Sequence, residues 1–110
     1  MNQDVYQTLK RAAKAGTLLS YNDLAPLGQA EARRGEISIA LAEISLHEHA
    51  QGRPLLSAIV IRKELSKPDR GFYDLASKLG LYSGGTDLDE FVFFTQEFLR
   101  ATACWRDLPV

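Results

Sequence analysis

The chain has 110 residues, of which 45% are hydrophobic and 25% are charged. This composition favours one soluble globular domain over a disordered segment. The net charge of −1 argues against strong non-specific DNA binding, because that affinity comes from neutralised phosphates. A single cysteine excludes an internal disulfide, and the first ten residues lack the pattern of a secretory signal, so we expect a cytoplasmic location.

The N-terminal residues predict an amphipathic helix followed by a short strand. Apolar side chains between residues 4 and 15 recur at helical spacing, and Gly16 stands where a helix-ending glycine belongs. The next three residues, 17–19, are compatible with a strand. Eleven of the 13 basic residues and nine of the 14 acidic ones lie in residues 1–80, so any basic face is expected in this part of the chain.

Two further helices are predicted before the middle of the chain. Ser20 and Asp23 have the spacing of a capping box, which indicates a short helix that uses Leu27 as one of its apolar contacts and ends at Gly28. Apolar residues at helical spacing then predict a long helix over residues 36–51.

The second half of the chain is predicted to contain a wing and a final helix. Residues 55–65 begin with five large aliphatic side chains in seven and favour a central strand. Residues 67–71 form a turn signal, and Phe72 and Tyr73 are expected to open a return strand before a short helix that ends at Gly80. Acidic residues in the first turn and a heavy apolar face predict the last helix over residues 87–106.

No set of residues typical of catalysis or metal binding is complete. Glu43 and His47 share a helix face, but zinc needs three or four ligands. Cys104 has no histidine near it in sequence that would activate a thiolate. We therefore expect no enzymatic activity, no metal, no cofactor and no small-molecule substrate. Since no apolar run approaches the roughly 20 residues that span a bilayer, we also expect no membrane partner.

Basic residues in two places favour contacts to nucleic acid. Arg33 and Arg34 precede the long helix, where a helix-turn-helix presents its recognition element. Lys67 and Arg70 lie at the presumed wing, where cations can contact phosphates. The alternative is that these are ordinary solvated charges, since acidic residues stand close to both groups.

The segment Val5 to Gln29 resembles the start of the DNA-binding domain of the O6-alkylguanine DNA alkyltransferase and alkyltransferase-like families. The resemblance is carried by a glycine, a Ser-Tyr pair, a polar pair and Leu-Ala, which here are Gly16, Ser20-Tyr21, Asn22-Asp23 and Leu24-Ala25. It implies a winged-helix fold for roughly residues 4–80. It also implies that Tyr21 and either Arg33 or Arg34 act on a target nucleotide.

The resemblance does not extend to the chemistry of those families. Their reactive Pro-Cys-His-Arg motif has no equivalent in residues 56–61, which read Leu-Ser-Ala-Ile-Val-Ile. Alkyl transfer is therefore not implied. Arg53 to Ile61 and Gly71 to Ala76 also resemble segments of small bacterial proteins with the same winged-helix layout, and that likeness implies no activity.

The sequence thus predicts a single α+β domain over residues 1–110. We expect a winged-helix-like part with a small antiparallel sheet and an appended C-terminal helix. Two non-catalytic functions stay open. The first is nucleic-acid binding through Tyr21, Arg33, Arg34 and the wing over residues 66–71, which includes Lys67 and Arg70. The second is a protein-interaction module, a homodimer or a small partner-neutralising protein, that uses the long helix or the aromatic residues Phe94, Phe98 and Trp105 of the last helix.

Overall fold

The computed structural model describes residues 1–26 and 28–110, so the predicted contact of Leu27 lies outside the described residues. Helices dominate this part of the chain, and they run as α1 (Gln3–Ala15), α2 (Arg34–Ala50), α3 (Arg70–Lys78) and α4 (Asp87–Arg106). The two strands are β1 (Leu19–Ser20) and β2 (Val60–Ile61), and they are preceded or followed by short 3-10 helices at Tyr21–Leu24 and Leu56–Ile59. The mixed α+β class predicted from the sequence is confirmed.

The ends of the helices follow from local sequence. Gly16 adopts φ 70° after α1, a conformation that costs glycine little because it has no Cβ. At the start of α4 the Thr86 hydroxyl accepts from the Asp89 N–H, and the Asp89 carboxylate accepts from the Thr86 N–H at 2.8 Å. This capping box fixes the first turn of α4 at the residue where the acidic pattern predicted it.

The predicted antiparallel sheet is wrong. β1 and β2 pair in parallel, with Leu19 opposite Val60 and Ser20 opposite Ile61. The predicted strand over 55–65 is also reduced to two residues, because the buried segment before β2 obtains its backbone partners from side chains. The Leu55 N–H donates to the Glu97 carboxylate at 2.9 Å, and the Ser57 N–H donates to the Ser45 hydroxyl at 3.1 Å.

The predicted wing and return strand are wrong as well. The chain turns between Arg62 and Lys67, which form an isolated antiparallel bridge. Asp69 then caps α3 by accepting from the Arg70 N–H at 2.8 Å. Phe72 and Tyr73, expected in a strand, are buried on the inner face of this helix.

The core consists of two apolar clusters that α4 joins. The first packs α1, α2 and the second 3-10 helix around Leu9, Ile44 and Ile59, with Trp105 from the end of α4. The second cluster packs α3 against the first half of α4, where its members are Leu55, Ala58, Phe72, Tyr73, Ala76 and Phe94. The inner face of α4 is therefore fixed along most of its length, while the opposite face is turned to solvent.

Candidate functional site

A cavity of about 190 Å³ opens at the carboxyl ends of the two parallel strands. Its walls come from the residues that follow β1 and β2 and from the segment that leads into α2. The lining residues are Ser20, Tyr21, Asn22, Ala30, Glu31, Arg34, Ile61, Arg62, Lys63 and Glu64. We call this the strand-end cavity. It brings together Tyr21 and Arg34, two of the residues predicted to handle a nucleotide.

Two guanidinium groups face each other across the strand-end cavity with a carboxylate between them. Arg34 donates to Glu31 at 3.1 Å, and its second terminal nitrogen lies 3.9 Å from Glu64. Arg62 donates from Nε to the same Glu64 oxygen at 2.7 Å and lies 3.5 Å from an Asp69 carboxylate oxygen. Glu64 thus bridges two cations that would otherwise repel each other.

Tyr21 is held between the strand-end cavity and the helices behind it. Its hydroxyl donates to the Asp69 carboxylate at 3.4 Å and lies 3.3 Å from the Ser38 hydroxyl. Burial raises the pKa of the phenol above its ordinary value of 10.0. Tyr21 therefore ties β1 to α2 and to the cap of α3, and it also lines the cavity.

The other predicted nucleic-acid residues lie away from the strand-end cavity. Arg33 is exposed and donates to Gln29 at 2.9 Å. Lys67 and Arg70 instead converge on one buried carboxylate, Glu90, at 2.7 and 2.6 Å. Hydrogen bonds from Lys67 and then Arg70 hold the pKa of Glu90 below its usual value, although burial works in the opposite direction. The two cations predicted at a wing thus anchor α4.

Buried carboxylates are the main feature that was not predicted from the sequence. Glu48 is fully buried and accepts from the Tyr6 hydroxyl at 2.8 Å and from Arg53 at 2.7 Å. Glu90 and Glu97 are also buried. Helical spacing carried a usable signal, because these two residues stand seven apart on the same face as Phe94.

The predicted partner-binding aromatics of α4 are mostly inside the molecule. Phe94 and Trp105 are each 5% exposed, and Phe98 is half-buried between the two core clusters. The exposed apolar residues of this helix are different ones, with exposed fractions of 71%, 51%, 45% and 58% for Leu88, Phe91, Val92 and Leu99. We call these four residues the outer α4 face.

Two other features are absent from residues 1–26 and 28–110, namely a metal-binding cluster and a membrane-spanning helix. No group of three or more histidine, cysteine, aspartate or glutamate side chains is arranged to hold a metal ion there. Cys104 is a free, partly buried thiol. No helix in the same residues combines the length and apolar character needed to cross a membrane.

No protein-family model, curated protein or solved structure matches this chain. The relation to the alkyltransferase DNA-binding domain therefore stays a prediction from the sequence.

Proposed function

We propose that the chain is a non-catalytic protein-interaction module that binds a second copy of itself through the outer α4 face. The observation that carries this proposal is the exposure of four large apolar side chains on one stripe of a single helix. Scattered exposed apolar residues are normal, but a contiguous apolar patch on a soluble protein marks an interaction surface. The sequence also predicted that α4 binds a partner, but through Phe94, Phe98 and Trp105. The proposed interface uses the outer α4 face instead.

The spacing of the exposed residues suits a helix as the partner. Leu88, Val92 and Leu99 follow this spacing together with the polar, half-buried Thr95, since the four succeed one another by four, three and four positions. This is the spacing of an apolar seam between two packed helices. Phe91, three residues after Leu88, lies beside the seam and widens it. Its ring is edge-on to that of buried Phe94, with 6.1 Å between the ring centres.

The charges on α4 favour a second copy in the antiparallel orientation. Asp87 and Asp89 lie in its first turn, whereas Arg100, which also pairs with Glu97, and Arg106 lie toward its end. An antiparallel pair related by a two-fold axis places each acidic end beside the basic end of the other copy. A parallel pair would instead set like charges together.

The inner attachments of α4 reduce the cost of such an interface. Glu97 holds the Leu55 N–H, and Glu90 holds Lys67 and Arg70, so the helix is already fixed before it meets a partner. A surface that is ordered in advance loses less conformational entropy on binding.

Sedimentation equilibrium over a range of concentrations tests the proposal. We expect the wild-type chain to approach twice its mass of 12.2 kDa, whereas Val92→Asp remains a monomer with unchanged circular dichroism. Ile39→Asp is the matched control, because Ile39 is 63% exposed on α2 and lies outside the outer α4 face. A monomeric wild type at the highest concentration would rule out self-association, and equal effects of both variants would exclude this face.

Nucleic-acid binding, with the winged-helix relation that suggested it, is the second candidate. Tyr21 and Arg34 border the same cavity as Arg62 and Lys63, and this grouping favours it. Against it, Arg33, Arg34 and Arg62 each pair with a carboxylate, which leaves little net positive charge for the several phosphates that a nucleic acid presents. If nucleic acid is bound, affinity for a short duplex should fall steeply with salt and should weaken when Arg33 and Arg34 are both replaced by alanine.

A further inference from the structure

The strand-end cavity supports a second inference, which is independent of the outer α4 face. We propose that it binds the phosphoryl group of a small phosphate-bearing molecule, and that the Glu64 carboxylate occupies the same place when no ligand is bound. Crevices at the carboxyl ends of parallel strands are frequent ligand sites, because side chains from different segments converge there. Here three basic side chains, from Arg34, Arg62 and Lys63, line the cavity.

The position of Glu64 shows where an anion would sit. Its carboxylate accepts from Arg62 at 2.7 Å and lies 3.9 Å from Arg34. Guanidinium groups bind carboxylates and phosphates by the same forked hydrogen bonds. A phosphoryl group has more acceptor oxygens than a carboxylate, so it can contact both guanidinium groups where Glu64 contacts mainly one.

Glu64 is able to leave without disturbing the fold. Its side chain is 59% exposed and stands at the tip of the turn between Arg62 and Lys67. Backbone hydrogen bonds hold that turn, with the Arg62 N–H donating to the Lys67 carbonyl and the Ser66 N–H to the Arg62 carbonyl, both at 2.9 Å. The carboxylate can therefore rotate into water while the turn and its neighbours keep their places.

The carboxylates that remain beside the two arginines limit the affinity of the cavity for phosphate. Glu31 stays beside Arg34, and Asp69 stays near Arg62, so the departure of Glu64 exposes only part of the positive charge. We therefore expect weak binding of inorganic phosphate and tighter binding of a molecule that also contacts Asn22 or Tyr21. Glu64 acts as a competitor that is covalently attached to the site.

A titration with inorganic phosphate at constant ionic strength, followed by amide chemical shifts, tests this inference. We expect saturable shifts at Ser20, Arg62 and Lys63, and an affinity up to about fivefold higher in Glu64→Gln, the upper end of what an exposed ion pair contributes. Glu36→Gln is the matched control, since Glu36 is also exposed, at 76% against 59% for Glu64, and pairs with Arg33 outside the cavity. Arg62→Gln should abolish the shifts, and Arg34→Gln provides a second loss-of-binding variant if the first does not fold.

Three results would overturn the inference. The first is the absence of saturable shifts at the strand-end cavity in Glu64→Gln. The second is an equal gain in affinity in Glu36→Gln, which would indicate only a change in overall charge. The third is binding of a short duplex by Glu64→Gln without binding of a nucleoside monophosphate, which would point to a nucleic-acid surface instead of a small-molecule site.

Discussion

Glu48 illustrates how a single buried charge can hold three elements of this fold. It lies on α2 and accepts from Tyr6 on α1, while Arg53 from the following loop donates to both of its oxygens at 3.1 and 2.7 Å. The guanidinium of Arg53 in turn lies 5.3 Å from the ring centre of Trp105 on α4. The carboxylate also raises the pKa of Arg53 through its hydrogen bonds.

Replacing Glu48 should therefore be costly. We expect Glu48→Gln to lower the free energy of unfolding by about 2–4 kcal/mol, because it leaves a partly buried guanidinium without its counter-charge. Glu43→Gln, on the exposed side of the same helix, should change it by less than about 0.5 kcal/mol. Urea denaturation of both variants provides the measurement, and equal values would contradict a structural role for the buried pair.

The ionisation of Glu90 makes the stability of the fold depend on pH. Lys67 and Arg70 hold its pKa in the folded state below its ordinary value of 4.5. A lowered carboxylate pKa contributes stability above the unfolded-state value, and this contribution is lost as the pH falls through the folded-state value. Glu90 therefore stabilises the fold at neutral pH and ceases to do so in acid.

The comparison of wild type with Glu90→Gln isolates this effect. We expect the variant to melt at a lower temperature at pH 6, and the difference in Tm to shrink steadily below pH 4.5. Asp89, whose pKa is lowered by Thr86, is present in both proteins, so its contribution cancels. A difference in Tm that stays constant from pH 6 to pH 3 would show that the ionisation of Glu90 does not stabilise the fold.

At the scale of the elements, two glycines near helix ends predict opposite responses to the same substitution. Gly16 has φ 70°, whereas Gly35 lies in the first turn of α2 without a positive φ, and a Cβ at either position meets no atom within 4 Å. Gly16→Ala should destabilise the protein by about 1 kcal/mol, because the strain is in the backbone alone. Gly35→Ala should stabilise it by about 0.4–1 kcal/mol, because alanine restricts the unfolded chain. Thermal unfolding of the two variants would refute this reasoning if both shifted Tm in the same direction.

The helices could be predicted from the sequence because their signals are local. The bounds predicted for α4, residues 87–106, are those observed, and α1 and α2 begin within two residues of their predicted starts. The strand at 55–65 failed for a non-local reason. Its aliphatic residues suit a sheet, but Ser45 and Glu97 from distant helices take the hydrogen bonds that a neighbouring strand would have made.

The candidate sites were predictable only in part, for the same reason. Tyr21 and Arg34 were named from a resemblance, and the fold does bring them to one cavity. Arg62, the other guanidinium of that cavity, was hidden in the predicted strand. Lys67 and Arg70 looked like free surface cations because Glu90, their partner, lies 20 or more residues away in sequence.

At the scale of the whole molecule, charge and apolar surface are distributed differently from what the sequence suggested. The basic residues predicted to contact nucleic acid are paired, since Arg33, Arg34, Lys67 and Arg70 all lie within 4 Å of a carboxylate oxygen, as does Arg62. Most aromatic side chains of α4 are buried or half-buried in the core. What α4 leaves at the surface is one apolar stripe with an acidic start and a basic end.

We propose that this stripe pairs with that of a second copy in an antiparallel orientation. Leu88 and Leu99 lie about 16 Å apart along one α-helix, too far for a direct nuclear Overhauser effect within a chain. In an antiparallel pair, by contrast, Leu88 of one copy lies beside Leu99 of the other. A mixture of carbon-13-labelled and unlabelled protein, analysed by an isotope-filtered experiment, reports only contacts between copies. We predict cross-peaks between the methyl groups of Leu88 and Leu99, whereas cross-peaks of Leu88 with Leu88, or none at millimolar concentration, would contradict the claim.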